Sequence, residues 1–170
     1  IRLAARALLP DMSARCEVEL RRLAARVPLA LRLFGAGAAV DALAALGVVL
    51  ALQGAPGLQL AAAALGALEP LPGRMRPLAG RGGSLVIDDS YNANPASMMS
   101  SLAALRELAA LRQGRAIAAL ADMAELGDHA QAEHERIGRE LVRIGVAEAF
   151  LCGPLMAHAA KAGPTIETIK

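Results

Sequence analysis

Hydrophobic and polar positions alternate from Arg15 to Leu20, which places Cys16, Val18 and Leu20 on one face of a pleated strand. A basic connection, Arg21 to Arg26, leads to a second apolar-rich segment over Val27 to Leu33. The pair predicts a β-hairpin, although its turn carries no Asn-Gly signal. Phe34-Gly35-Ala36-Gly37 then opens an Ala/Leu-rich helix that runs to about Gln53. Gly54-Ala55-Pro56-Gly57 breaks that helix, and Leu58 to Leu68 reads as a second, shorter one. The Pro70-Leu71-Pro72-Gly73-Arg74 run stiffens and redirects the chain between two Ala-rich blocks. It is the expected domain boundary, with residues 1–72 in one domain and residues 73–170 in the next.

Beyond that boundary the pattern changes to strands and helices in alternation. Ser84 to Asp88 reads as a strand and Pro95 to Leu111 as a helix, with Pro95 suited to the first turn. Ile117 to Leu120 is the next strand, and His129 to Ile144 is a helix ended near Gly145. Ala149 to Cys152 is a third strand, and Gly153-Pro154 leads to a short helix reaching about Lys161. This order predicts an α/β fold, with a parallel sheet, right-handed crossovers and helices on both faces. In such folds function gathers at the C-terminal ends of the strands. The loops there are Asp88–Asn94, Ala121–Asp128 and Gly153–Leu155.

Composition narrows the function classes. The 18 Lys and Arg residues nearly balance the 16 Asp and Glu, which leaves no basic footprint for nucleic acid. Aromatic residues are 2% of the chain, which also argues against base stacking. Cys16 and Cys152 lie far apart without metal-ligand spacing, and read as free thiols in a reducing compartment. Arg2 and Arg6 flank a few apolar residues before Pro10-Asp11, without the core or cleavage pattern of a signal peptide. Leu43 to Leu52 is short for a membrane span and is bounded by Asp41 and by Gln53-Gly54. The expectation is a buried helix of a soluble domain, with no membrane insertion. The chain opens without an initiator Met, which is expected of a piece of a longer protein.

The densest polar chemistry lies between Asp88 and Ser97. A strand that ends in Asp88-Asp89 and feeds a helix N-terminus is placed where open α/β sheets hold nucleotides or other anions. Asp89 suits a ribose diol. Asn92 and Asn94 each donate and accept, which suits a sugar or a peptide and equally suits a turn. Asp122-Met123-Ala124-Glu125-Leu126-Gly127 repeats the theme of acids after a strand, a pattern that helix capping also produces. Arg74, after a Pro-Gly pair, would reach a phosphate across a cleft, or would stand as an ordinary surface arginine. His134, in mid-helix, reads as a structural residue, either packed or solvated. The chain has no Ser/His/Asp set, no Cys/His metal cluster and no Gly-Lys-Ser/Thr phosphate loop. Neither a catalytic residue nor a metal ligand is therefore assigned.

The run Asp88-Asp89-Ser90-Tyr91-Asn92-Ala93-Asn94-Pro95-Ala96-Ser97-Met98 resembles the signature of the Mur ligases, in their D-alanyl-D-alanine-adding branch. Pro72-Gly73-Arg74 is similar to that family's Pro-Gly-Arg, and Asp122-Met123-Ala124-Glu125-Leu126-Gly127 to its Gly-Asp-Met-x-Glu-Leu-Gly run. Glu133-His134 followed by Ile137-Gly138 resembles the next helix, and the Leu33 to Ala45 region the end of the central ATPase domain. The resemblance implies a Rossmann-like C-terminal domain with a mostly parallel sheet, preceded by the hairpin and helices that end the central domain. It also implies a cytoplasmic, monomeric enzyme of cell-wall peptidoglycan synthesis. That enzyme would join D-alanyl-D-alanine to UDP-N-acetylmuramoyl-tripeptide by ATP- and Mg-dependent amide formation through an acyl phosphate.

On that resemblance Asp89 would contact the ribose and Arg74 the nucleotide's charged side. Tyr91, Asn92, Asn94 and Ser97 would shape a loop facing nucleotide and dipeptide, with Asp122 and Glu125 on a neighbouring loop. The family's phosphate loop, magnesium-binding acids and UDP-sugar domain have no counterpart in these residues, so this segment is expected to be inactive alone. The family's Gly-x-His-Asn-x-x-Asn pattern corresponds here to Gly35-Ala36-Gly37-Ala38-Ala39-Val40-Asp41, without the His and with Asp at the last position. Ala121 stands where the family has glycine. A non-catalytic nucleotide- or partner-binding module derived from such a ligase is the alternative expectation.

Overall fold

The structure, a computed structural model, describes residues 1–9 and 11–161, together with the backbone of 166–169. Its contacts divide the chain into two compact units, Ile1–Asp89 and Ser90–Lys170.

The first unit begins with three antiparallel strands in sequential order, β1 (Arg2–Leu8), β2 (Ala14–Leu20) and β3 (Ala25–Leu31). The β2–β3 hairpin is the one the alternation predicts, and Leu20 pairs with Ala25 beside its turn. The inward side chains are Ala14, Cys16, Val18 and Leu20 of β2 with Leu29 and Leu31 of β3. On the other side of the pleat Glu17 meets Arg26 and Glu19 meets Arg2. Burial pushes the Cys16 thiol up from its ordinary pKa, as expected of a small buried hydrophobe rather than a reactive thiolate. The sequence pattern does not predict β1, whose interspersed alanines and two arginines give no clean alternation.

Helices α1 (Ala36–Gln53) and α2 (Gly57–Gly66) supply Ala39, Ala42, Leu46, Leu58 and Ala62 to the same core. The expectation of a buried α1 is corrected here: one stripe meets the sheet, while Val40, Val48 and Leu52 are exposed. The reason lies in its composition, because a helix apolar on every side carries no polar face to mark which way it turns. At 18 residues α1 is also long and apolar enough to cross a membrane by length and composition.

A second, two-stranded sheet completes this unit, β4 (Arg76–Ala79) against β5 (Leu85–Asp88). The ladder is antiparallel and sets Arg76 opposite Asp88. This corrects the expectation that strand 84–88 joins a parallel sheet. The turn Gly80–Ser84 is closed by the Gly80 N–H on the Ser84 carbonyl, and it brings the short, Pro77-containing β4 against β5. A four-residue strand with a proline carries little sequence signal, and a two-stranded ladder tolerates the missing donor.

The second unit holds α3 (Pro95–Leu111), β6 (Ile117–Ala121), α4 (Ala130–Ile144), β7 (Glu148–Cys152), α5 (Met156–Ala160) and β8 (Ile166–Ile169). β6, β7 and β8 form a parallel sheet in that order, with Leu120 beside Leu151. Met98 and Leu102 of α3, Ile137 and Leu141 of α4 and Met156 of α5 gather with Ala118, Ala149 and Leu151 of the sheet in one core. The mixed α/β class and the parallel sheet therefore agree with the reading of the sequence.

On α4 the buried Glu140 carboxylate accepts two hydrogen bonds from Arg143, both 2.6 Å. Those bonds hold Glu140 below the usual glutamate range. A depressed carboxylate contributes stability that is present above its unfolded pKa and is lost as pH falls through the folded one. Arg143→Ala should therefore lower stability at pH 7, with the gap from the parent closing as pH drops below about 4, near the ordinary glutamate value. Chemical denaturation at the two pH values checks this.

Candidate functional site

In the first unit the end of β5 is tied to the loop before β4. Asp88 accepts the Gly73 N–H at 3.0 Å, and Asp89 accepts the Met75 N–H at 3.0 Å. Between them the Arg74 N–H reaches the Leu71 carbonyl at 3.0 Å, which closes a turn over Leu71-Pro72-Gly73-Arg74. Proline second and a positive-φ glycine third is the type II pattern, and Gly73 has φ +71°. Met75 is also left-handed at φ +53°, a conformation that costs a non-glycine residue about 1 kcal/mol. Arg74 and Asp89, expected from sequence to serve one nucleotide, are thus brought together within a short loop and a strand end.

The second unit holds the remaining candidates. Tyr91 and Asn92 are exposed, and the Asn92 side chain accepts the Ala93 N–H at 2.9 Å. Asn94 and Ser97 form a reciprocal cap on α3. The Asn94 Oδ1 accepts the Ser97 N–H at 2.9 Å, and the Ser97 Oγ accepts the Asn94 N–H at 3.1 Å. With Pro95 in the first turn, this cap accounts for the abrupt start of the helix.

Asp122, just past β6, caps a helix, but the helix is α5 and not the one that follows it in sequence. Its carboxylate accepts the Leu155 N–H at 3.2 Å and the Met156 N–H at 2.7 Å. Gly153 makes this approach possible. Its φ is +111°, and a Cβ there would lie 2.4 Å from the Asp122 carboxyl carbon. The neighbouring Met123 N–H donates to His134 Nε2 at 3.0 Å, while Nδ1 lies 2.6 Å from the Ala130 carbonyl. Nε2 therefore accepts and Nδ1 carries the proton, which assigns the neutral tautomer. His134 is wholly buried, in agreement with the structural role read from its position. Glu125 is exposed and left-handed at φ +62°.

The sequence motifs assign no role to Asp88, to Gly153 or to a Met123–His134 bond. The Asp-Asp doublet is the available signal for Asp88; the other two connect residues that only the folded chain brings together. Arg74 offers donors and Asp89 an acceptor, the chemistry that the charge and the sugar of a nucleotide call for. The chain has no glycine-rich lysine loop to cradle a triphosphate. Among the described residues no group of three or more His, Cys, Asp or Glu side chains is placed to hold a metal.

The buried lock predicts that His134→Ala leaves a cavity and an unsatisfied Met123 N–H, at a cost of about 2–4 kcal/mol. Gly153→Ala should be destabilising as well, because Asp122 would have to leave the start of α5. Urea unfolding of both variants checks these expectations.

Comparison with known proteins now gives the family. The model described as "Mur ligase, glutamate ligase domain" matches residues 73–169, more than half of the chain. The UDP-N-acetylmuramoyl-tripeptide–D-alanyl-D-alanine ligase of Mycobacterium tuberculosis is 43% identical over 106 residues, covering 61% of this chain and 21% of that protein. Its Escherichia coli counterpart is 34% identical over 91 residues, covering 54% of this chain and 19% of that protein. The chain thus spans about a fifth of the curated relatives it matches. Among solved structures, MurF from Acinetobacter baumannii superposes with a TM-score of 0.81 at 26% identity, covering 98% of this chain and 34% of that one. MurF from Thermotoga maritima, solved in complex with ADP, gives 0.78 at 24% identity, which speaks to the fold, and covers 98% and 36%. The chain belongs to the Mur ligase family.

Proposed function

We propose that this chain is the C-terminal part of an ATP-dependent ligase that joins D-alanyl-D-alanine to UDP-N-acetylmuramoyl-tripeptide. The observation that carries this reading is the fixed loop around Arg74, held against the two carboxylates of the family's signature run. The identity to the mycobacterial ligase supports the choice of branch. A domain boundary at 72/73 belongs to the same reading and is supported by the family model's start at residue 73, although the contacts of the folded chain divide it later, after Asp89. So do a monomeric state and a cytoplasmic location.

ATP, when bound, supplies the phosphoryl group that turns a carboxylate into an acyl phosphate open to attack by an amine. Residues of each unit would contribute to that chemistry. Arg74 would present its guanidinium to the nucleotide's charged side, where a fixed cation offsets charge developing on a transferred phosphoryl group. Asp89 would accept the ribose hydroxyls. Tyr91 and Asn92 would face nucleotide and dipeptide, and the Asn94–Ser97 cap would set where that loop ends. Asp122 would fix its own loop by capping α5, leaving Glu125 as the side chain that the loop offers. Among the described residues no side-chain group fits a magnesium site, and no step is assigned to the metal.

One observation favours the non-catalytic module as a second reading. The helix that follows Gly35 lacks the family's His-Asn-x-x-Asn residues, and its N-terminus has no side-chain cap. The deciding experiment is phosphate release by the complete ligase polypeptide that carries this segment, supplied with ATP, UDP-N-acetylmuramoyl-tripeptide and D-alanyl-D-alanine. Release that requires both other substrates supports the ligase; binding of nucleotide without turnover supports the module. The 170-residue chain alone should release no phosphate from ATP, and measurable turnover would overturn that expectation. In the complete enzyme Arg74→Ala should lower kcat/KM for ATP by about 10²–10³, the usual cost of one charge-stabilising donor.

A further inference from the structure

We propose that Asp88 is a positioning residue for Arg74, acting through the backbone rather than by touching the nucleotide. This rests on the assignment of Arg74 to the nucleotide's charged side. Three successive amides are fixed in the 73–75 stretch: Gly73 on Asp88, Arg74 on the Leu71 carbonyl and Met75 on Asp89. The residues on either side of Arg74 are left-handed, at φ +71° and +53°, so the loop turns sharply before and after it. A left-handed methionine is intrinsically unfavourable and persists when its surroundings over-determine it. Here the surroundings are two carboxylates at the end of one strand.

Asp88 has the geometry of an anchor. Gly73, whose N–H it accepts, is buried, and Asp88 itself is half-buried and paired in register with Arg76 of β4. A hydrogen bond from a backbone N–H to an ionised carboxylate is about twice as strong as a neutral one. Asp89 has a double role. A carboxylate offers about four lone-pair sites, so accepting the Met75 N–H is compatible with accepting a ribose diol. The adjacent carboxylates thus divide the work: Asp89 joins loop to ligand, and Asp88 joins loop to strand. The direction in which Arg74 leaves the backbone is set by bonds that span fifteen and fourteen positions of the chain.

The test is a double-variant cycle in the complete ligase, read as KM for ATP and kcat, with amide hydrogen exchange on the 170-residue chain beside it. Asp88→Ala should raise KM for ATP about tenfold, the order expected for losing a hydrogen bond to a charged group. Asp88→Asn, which keeps an acceptor for Gly73, should recover most of that loss. On an Arg74→Ala background Asp88→Ala should have no further effect on KM, because the residue it positions is gone. Losses that multiply across the cycle would overturn the proposal, since they would mean that Asp88 acts independently of Arg74. If Arg74→Ala alone leaves KM and kcat unchanged, the nucleotide assignment fails instead.

In the 170-residue chain Asp88→Asn and Asp88→Ser separate the clamp from general stability. Faster exchange at Gly73 in the Ser variant, with protection of the β2–β3 ladder unchanged, supports a local clamp. Unchanged exchange at Gly73, or equal loss of protection throughout the Ile1–Asp89 unit, overturns it. The exchange measurement decides the matter even where Asp88→Ala does not fold in the complete enzyme.

Discussion

The constraint on which the rest depends is the need of backbone N–H groups in tight loops for acceptors. A helix start or a left-handed turn exposes donors that no ladder satisfies, and each costs free energy if it is buried without a partner. This chain meets the need with side chains at strand and helix ends. Asp88 and Asp89 take the amides of Gly73 and Met75, Asp122 takes those of Leu155 and Met156, and Asn94 takes that of Ser97. His134 does the same for Met123 through a ring nitrogen. Polar residues in the candidate loops therefore shape the backbone before any ligand arrives.

This changes what the polar residues say about function. Asp122, Asn94 and Ser97 each have local partners that account for their chemistry, so their contribution to a ligase would be to hold loops in place. Arg74, Tyr91 and Glu125 are not among these amide acceptors, and on the proposed reading any part they play would be toward a ligand. Pre-organisation of this kind lowers the ordering cost at the moment of binding, because the loop conformation is already fixed.

Much of the fold is legible in the sequence for identifiable reasons. The β2–β3 hairpin follows from strict alternation around Cys16, Val18 and Leu20. Helix α3 is legible because Pro95 marks its first turn, and α4 because its apolar positions recur at helical spacing and Gly145 ends it. The failures are physical too. β1 and β4 contain arginine and no β-branched residue, and β4 is only four residues long, so propensity gives no signal and pairing decides. The same pairing draws β5 into an antiparallel ladder. The exposed side of α1 is illegible because its alanine-rich surface is apolar all round. In the candidate loops the motifs single out Arg74 and Asp89, but the Asp88–Gly73 and Asp122–Met156 bonds span 15 and 34 positions and have no local pattern.

Tyr91 has one further consequence. It is the only tyrosine in a chain without tryptophan, and it stands exposed in the stretch of sequence between the strand-end carboxylates and the α3 cap. Tyrosine emission from this 170-residue chain therefore originates at that one loop. That loop carries its own optical reporter, and a ligand that covered the ring would change the intrinsic signal without any introduced label.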